Sequence, residues 1–207
     1  RLLAMMNDPA HPLVPYLHVP LQSGSDRILK LMKRRYTRKQ FLAFVHRAKD
    51  TVRDVCIGTD IMAGFPGETD ADFDETLAVL RDAPIDYAHV FKYSEREGTA
   101  SARMPGKVDP KDVTRRAAAA RRLAAIKQRR FYEAHLGRTM PVLFEDQEDG
   151  LWCGYTGNYV RVGVRSDKRL ENTIEQVRLE HCAGPIVTGR LASEKTKETT
   201  QRHGDPR

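Results

Sequence analysis

Apolar and polar positions give this chain two rhythms, a long period first and a short alternation later. Residues 16–22 are mostly apolar, with Pro20 bending the run near its end, and they predict a short strand. Gln22-Ser23-Gly24-Ser25-Asp26 follows as a turn, and Ser25 or Asp26 can cap a short helix over residues 27–32. Thr37 caps the next helix, residues 38–51, where Phe41, Phe44, Val45 and Ala48 recur at helical spacing. Residues 55–63 are nearly all apolar and read as a buried strand. Thr69 caps a helix over residues 70–82, with Asp72 three positions on as capping-box partner and Phe73, Leu77 and Leu80 inward. Residues 85–93 predict a third strand and 94–107 a long loop. Strand–helix–strand–helix–strand order predicts α/β architecture: a parallel sheet with right-handed crossovers, in an open or partial barrel. Before all this, residues 1–6 read as the end of a helix and 8–15 as a Pro-rich loop.

A long helix is predicted over residues 110–135, opened by Asp109 or Pro110, with Val113, Ala117, Ala120, Ala124 and Phe131 as a narrow apolar stripe. The rest of it is basic. Lys111, Arg115, Arg116, Arg121, Arg122, Lys127, Arg129 and Arg130 stand against Asp112 and Glu133, so 8 − 2 = +6. Such a face is either solvated or turned to phosphate, and the concentration of charge on one element favours phosphate. Gly137 ends the helix, and short alternating runs follow at residues 140–144, 151–155, 159–164 and 186–191, with 175–180 as a further strand. Residues 145–150 read as an acidic hairpin loop and Gly157-Asn158 as another turn. The pattern predicts a small antiparallel barrel of the OB-like sort. Trp152, Tyr155, Tyr159, Arg161 and Arg165 suit a nucleic-acid face, although Trp152 suits a core equally well. Candidate RNA contacts are Lys127, Arg129, Arg130, Tyr155, Asn158, Tyr159 and Arg161. The division expected is 1–136 for the α/β domain, 137–192 for the barrel and 193–207 for a disordered tail.

Composition narrows this further. The chain has 207 residues, 40% of them hydrophobic, enough for one large domain or a medium and a small one. Its net charge of +7 makes an anionic partner plausible, nucleic acid first. Cys56, Cys153 and Cys182 lie far apart without metal-ligand spacing, which points to a reducing, cytoplasmic compartment and no metal site. No apolar run approaches the length of a membrane span, so no membrane partner is expected.

Candidate chemistry gathers at the strand ends. Asp60 sits in a near-apolar run, where a carboxylate is costly unless something binds it. Gly64 and Gly67 allow close backbone approach, and Pro66 stiffens the turn between them. A strand ending in glycines at a helix start is a common α/β ligand site, and parallel strands put Gln22, Asp60 and Ser94 on one rim. Gln22 is either a partner for its own turn or a ligand contact. His18 points towards the same rim, with a substrate contact and a structural role both open. No acid–base pair reads as catalytic.

Four motifs carry a resemblance. His18-Val19-Pro20-Leu21-Gln22-Ser23-Gly24-Ser25-Asp26, Met32-Lys33-Arg34-Arg35-Tyr36-Thr37, Thr59-Asp60 through Gly64-Phe65-Pro66-Gly67-Glu68-Thr69, and Tyr93-Ser94-Glu95-Arg96-Glu97-Gly98-Thr99 stand in the order of the radical S-adenosylmethionine methylthiotransferases. The resemblance covers residues 1–192, and the terminal barrel is similar to the TRAM domain, an RNA-binding module. It implies the carboxy-terminal half of a radical-SAM partial (β/α) barrel followed by a TRAM-like antiparallel barrel. It also implies S-adenosylmethionine as cofactor, with Gln22 and Asp60 on the ribose hydroxyls and Arg34 on the methionine carboxylate. Met62, Gly64 and Ser94 would lie along the adenine. His89-Val90-Phe91 and residues 154–162 look most like the branch acting on threonylcarbamoyl-adenosine 37 of tRNA, at the anticodon, rather than the sister branch acting on isopentenyl-adenosine.

The family's Cys-x3-Cys-x2-Cys loop, and the amino-terminal domain with its own three cysteines, do not occur in this sequence. The resemblance therefore implies two 4Fe–4S clusters whose ligands lie outside this chain, in a missing amino-terminal half of the same enzyme. The chain by itself is expected to be catalytically inactive and at best to bind tRNA. The competing reading is a non-catalytic tRNA-binding module.

Overall fold

The computed structural model describes residues 2–8 and 10–193, so the tail over 194–207 lies outside the described residues. The chain divides into two compact units. The first holds the residues up to His135 together with Gly157–Val160, and the second holds Leu136–Thr156 and the residues from Arg161 onward.

In the first unit, β1 (Tyr16–His18), β2 (Cys56–Ala63) and β3 (Tyr87–Lys92) form a parallel sheet in the order β1-β2-β3. The helices are α1 (Leu2–Met5), α2 (Asp26–Leu31), α3 (Arg38–Thr51), α4 (Asp70–Asp82) and α5 (Pro110–Glu133). Both predicted capping boxes form, Thr37 with Gln40 on α3 and Thr69 with Asp72 on α4, and each satisfies amides that a helix start leaves without partners. Asp109 caps α5 by accepting from the Lys111 amide at 2.7 Å.

Alternation along β2 separates two faces. Ile57, Ile61 and Ala63 are fully buried in a core with Phe41, Val45 and Ala48 of α3, Phe73, Val79 and Leu80 of α4, and Ala117 and Ala120 of α5. The small alanines let α5 pack closely along β3. Asp86, just before β3, is tied to Lys49 at 2.6 Å and accepts from the Ile57 amide, which holds α3 to the strands. Strand β1 stops at His18 rather than continuing to Gln22. Pro20 has no amide to offer a ladder, and Gln22 rejoins β2 only as an isolated bridge to Ile61.

The second unit is a closed five-stranded barrel, β4 (Thr139–Glu148), β5 (Leu151–Thr156), β6 (Arg161–Val164), β7 (Ile174–Ala183) and β8 (Ile186–Leu191), in the order β4-β5-β6-β8-β7. All its pairs are antiparallel except β6 with β8. Val142, Phe144, Val162, Val177, Leu179 and Val187 fill it. The expected acidic hairpin loop is mostly strand. A bulge between Phe144 and Asp146 shifts the register, β4 runs on to Glu148, and only Asp149-Gly150 turns, both at positive φ. Strand β6 starts at Arg161 rather than Tyr159, whose φ of 68° is incompatible with a strand.

Candidate functional site

The rim is assembled at the carboxyl ends of the strands. Gln22 takes a left-handed φ of 65°; its amide donates to the Asp60 carbonyl and its own carbonyl accepts from the Met62 amide. That geometry fixes Gln22 beside the end of β2. The rest of its motif is structural. A Cβ on Gly24 would fall 2.6 Å from the Glu75 carbonyl and the Thr76 Cα, the Gly24 amide donates to Thr76 Oγ1, and Ser25 Oγ donates to Asp72 at 2.7 Å. Arg27 pairs with the same carboxylate, and Asp26 accepts from the Arg38 amide at 2.6 Å. Burial pulls the Asp72 carboxyl upward, but Arg27, Thr69 and Ser25 outweigh it and hold it well below the usual range.

Three cavities line the rim. One of about 290 Å³ is bounded by Gln22, Lys33, Arg34, Met62, Phe65 and Met104 among others. A second of about 360 Å³ shares Met62, Phe65 and Ser101 with it and adds Phe91, Ser94 and Arg96. Gly64 borders a third, of about 320 Å³, with Lys92, Tyr93, Lys107 and Val113. Gln22, Arg34 and Met62 are thus brought together, Ser94 adjoins them, and Gly64 lies alongside. Asp60 is not among the residues bordering these cavities: its Oδ2 pairs with His18 Nε2 at 3.1 Å on the open face of the sheet.

The turn after β2 rests on a pair the sequence reading missed. Glu68 Oε2 accepts from the Gly64 amide and from Arg116 Nη1, both at 2.8 Å, and the two side chains are 0% and 5% exposed. Burial pushes the Glu68 carboxyl above its ordinary range against the pull of the amide and the guanidinium. The signal was present as a Glu one residue after Gly67 and an Arg on the apolar side of α5.

That pair also revises the basic helix. Arg116 and Arg115 are engaged with Glu68, Asp70 and Asp112, and Arg121 donates to the Val90 carbonyl. Lys127, expected to face phosphate, is half-buried, donates to the carbonyls of Ala83 and Arg81, and has its pKa lowered by desolvation. Arg129 pairs with Glu133 at 2.7 Å while remaining exposed, and Lys111, Arg122 and Arg130 are exposed. On the barrel, Tyr155 sits opposite Arg161 across β5 and β6, and Arg161 pairs with Glu148. Asn158 is corrected outright. It is 1% exposed, and its Nδ2 donates to His135 Nε2 and the Asp54 carbonyl, so it cannot meet RNA.

A parallel sheet with cavities along its strand ends, polar groups in their walls and a glycine turn leading into a helix defines an α/β ligand-binding protein. A model of the radical SAM superfamily matches residues 4–80. The tRNA-2-methylthio-N(6)-dimethylallyladenosine synthase of Maricaulis maris (strain MCS10) is 37% identical over 185 residues, 88% of this chain and 41% of that protein. The synthase of the same name from Geobacillus thermodenitrificans (strain NG80-2) is 38% identical over 189 residues, 88% of this chain and 35% of that protein. Residues 4–80 thus match the radical SAM superfamily, and over 88% of its length the chain is similar to part of these tRNA methylthiotransferases. It spans less than half the length of these relatives.

The family implies S-adenosylmethionine and 4Fe–4S clusters in the full-length enzyme. The donors of the first cavity fit the nucleoside: a guanidinium and an ammonium for a carboxylate, a glutamine amide for hydroxyls and a thioether for an aromatic ring. An iron–sulfur cluster does not fit. Among the described residues no three metal-ligating side chains stand together, and Cys56 and Cys153 are buried, with burial pushing both thiols up. No helix among the described residues is long and apolar enough to cross a membrane.

Proposed function

We propose that this chain is the cofactor- and RNA-binding portion of a longer enzyme that transfers a methylthio group to C2 of N6-dimethylallyladenosine at position 37 of tRNA. The observation that carries the reading is identity of 37–38% across 88% of the chain to two synthases of that name. Those names support the isopentenyl branch over the threonylcarbamoyl branch that the motifs suggested. The motif over residues 154–162 is a weak guide to substrate, because Gly154, Asn158, Val160 and Val162 are buried and serve packing.

Arg34 would hold the methionine carboxylate, Gln22 the ribose hydroxyls and Met62 the adenine, with Ser94 and the Gly64 turn bordering the adjoining cavities. S-adenosylmethionine, when bound, supplies the methyl group and the radical chemistry. The chain's own residues bind and orient. The barrel acts as a TRAM-like RNA module through Tyr155 and Arg161, with Arg129 and Arg130 of α5 as phosphate contacts.

The test is mass spectrometry of tRNA nucleosides from a strain lacking this modification. It is complemented either with the reading frame extended upstream of Arg1 or with the 207-residue chain alone. The extended frame is expected to restore 2-methylthio-N6-dimethylallyladenosine and the chain alone to restore none. The threonylcarbamoyl product would transfer the reading to the sister branch, absence of both products would overturn it, and activity of the chain alone would overturn the portion claim.

A further inference from the structure

Parallel sheets normally have both faces covered. Here α3, α4 and α5 cover one face, while His18, His89 and Phe91 are exposed on the other. That open face is furnished with rings. Tyr87 lies flat across Gly58, where a Cβ would fall 2.3 Å from its ring. Its hydroxyl reaches over β2 to hydrogen-bond that of Tyr16, and the two rings are within 10° of parallel. Tyr159 stacks on Tyr16 with centroids 4.2 Å apart and planes 15° apart. It keeps 42% exposure despite a left-handed φ of 68° that a tyrosine rarely adopts. Asn158, bonded to His135 and the Asp54 carbonyl, holds the strained segment in place.

Next along the strands come His18, Asp60 and His89. Asp60 pairs with His18 Nε2, and in the Nε2–H tautomer His18 Nδ1 is left as an acceptor. His89 lies 5.8 Å from His18 and edge-on to Tyr87. Phe91, 51% exposed, is four residues beyond Tyr87, about 13 Å at strand rise. The result is a slot with Tyr159 at one end, Phe91 at the other and His18, Asp60 and His89 as its floor. Its Phe91 end meets the cavity that holds Met62 and Arg96.

We propose that this slot receives a purine base of the RNA substrate. The base stacks against Tyr159 and gives its N6–H to His18 Nδ1, with Asp60 as the positioning residue that fixes the imidazole. This rests on the tRNA-modification reading above. An exposed ring to stack on and a hydrogen-bond acceptor beside it suit a nucleobase, and Arg96 and Lys92 at the Phe91 end suit its polyanionic backbone.

The test uses the full 207-residue chain and two anticodon stem-loops: one with adenosine at position 37, which carries the N6–H, for affinity by gel shift, and one with 2-aminopurine there, which lacks it, for stacking by fluorescence quenching. Wild type is expected to bind and quench. Tyr159→Leu should bind about tenfold more weakly and lose the quench, and Tyr159→Phe should keep both. His18→Ala and Asp60→Asn should weaken binding by similar factors of about five, and His18 is exposed enough that its loss does not threaten the fold. Normal affinity with undiminished quenching in Tyr159→Leu and His18→Ala would overturn the slot and leave RNA binding standing. Failure of the wild type to bind the stem-loop would overturn the RNA reading and the slot with it.

Discussion

Arg116→Met removes a guanidinium from a pair whose side chains are 5% and 0% exposed. The Glu68 carboxylate left behind keeps only the Gly64 amide at Oε2, and its Oε1 is buried with no hydrogen-bond partner. Breaking a buried pair in this way costs about 3–5 kcal/mol. Asp70 adds little, since it is 68% exposed and keeps Arg115. A loss near 3 kcal/mol is therefore expected, a large share of the 5–15 kcal/mol typical of a domain. Adding Glu68→Gln removes the orphaned charge and should recover about half of it. Burial already raises the Glu68 carboxyl, and losing Arg116 raises it further. A carboxyl raised in the folded state contributes stability that is present below its unfolded value and lost as pH rises through its folded one, so the single variant should be weaker at pH 8 than at pH 5. Urea unfolding followed by circular dichroism at 222 nm reads the first unit, because every described helix lies there. Trp152, the single tryptophan, reads the barrel. A loss below about 1 kcal/mol, or a double variant no better than the single, would refute the reasoning.

Asp72 is depressed, so its contribution is present above the ordinary carboxylate value near ~4 and is lost as pH falls through its folded value. Asp72→Asn should cost about 1–3 kcal/mol at pH 7 and flatten the acid limb of the stability profile; an unchanged limb in acid titrations would contradict the assignment. In the barrel, Gly154→Ala puts a Cβ 2.1 Å from the Leu143 carbonyl oxygen and should cost about 1–3 kcal/mol by Trp152 fluorescence. Gly163→Ala on β6 meets first the flexible end of the Ile186 side chain, at 2.8 Å, and serves as the control, so equal losses in the two would sink the steric argument.

Local chemistry made much of the chain legible in advance. Thr37 and Thr69 announce helices because a hydroxyl at an N-cap satisfies a nearby amide whatever the surroundings. The apolar run ending at Ala63 and the order of elements imply a parallel sheet, and the alternation after Gly137 implies a barrel, since both depend on periodicity alone. Gln22, Arg34 and Met62 were readable as one site because strand ends and following turns gather on one rim by topology. What stayed hidden were pairings between residues far apart in sequence. Nothing local marks Arg116 as buried rather than solvated, Lys127 as spent on carbonyls, Asn158 as locked beneath its loop or Asp60 as held by His18. Each of these groups carries the same charge or dipole on a surface as in a core. The sequence by itself determined the elements, their order and the donors at the rim, because those follow from short-range bonding and period. The tertiary structure alone decided which polar groups face solvent and which face each other, because that depends on which distant neighbour folding brings within about 3 Å.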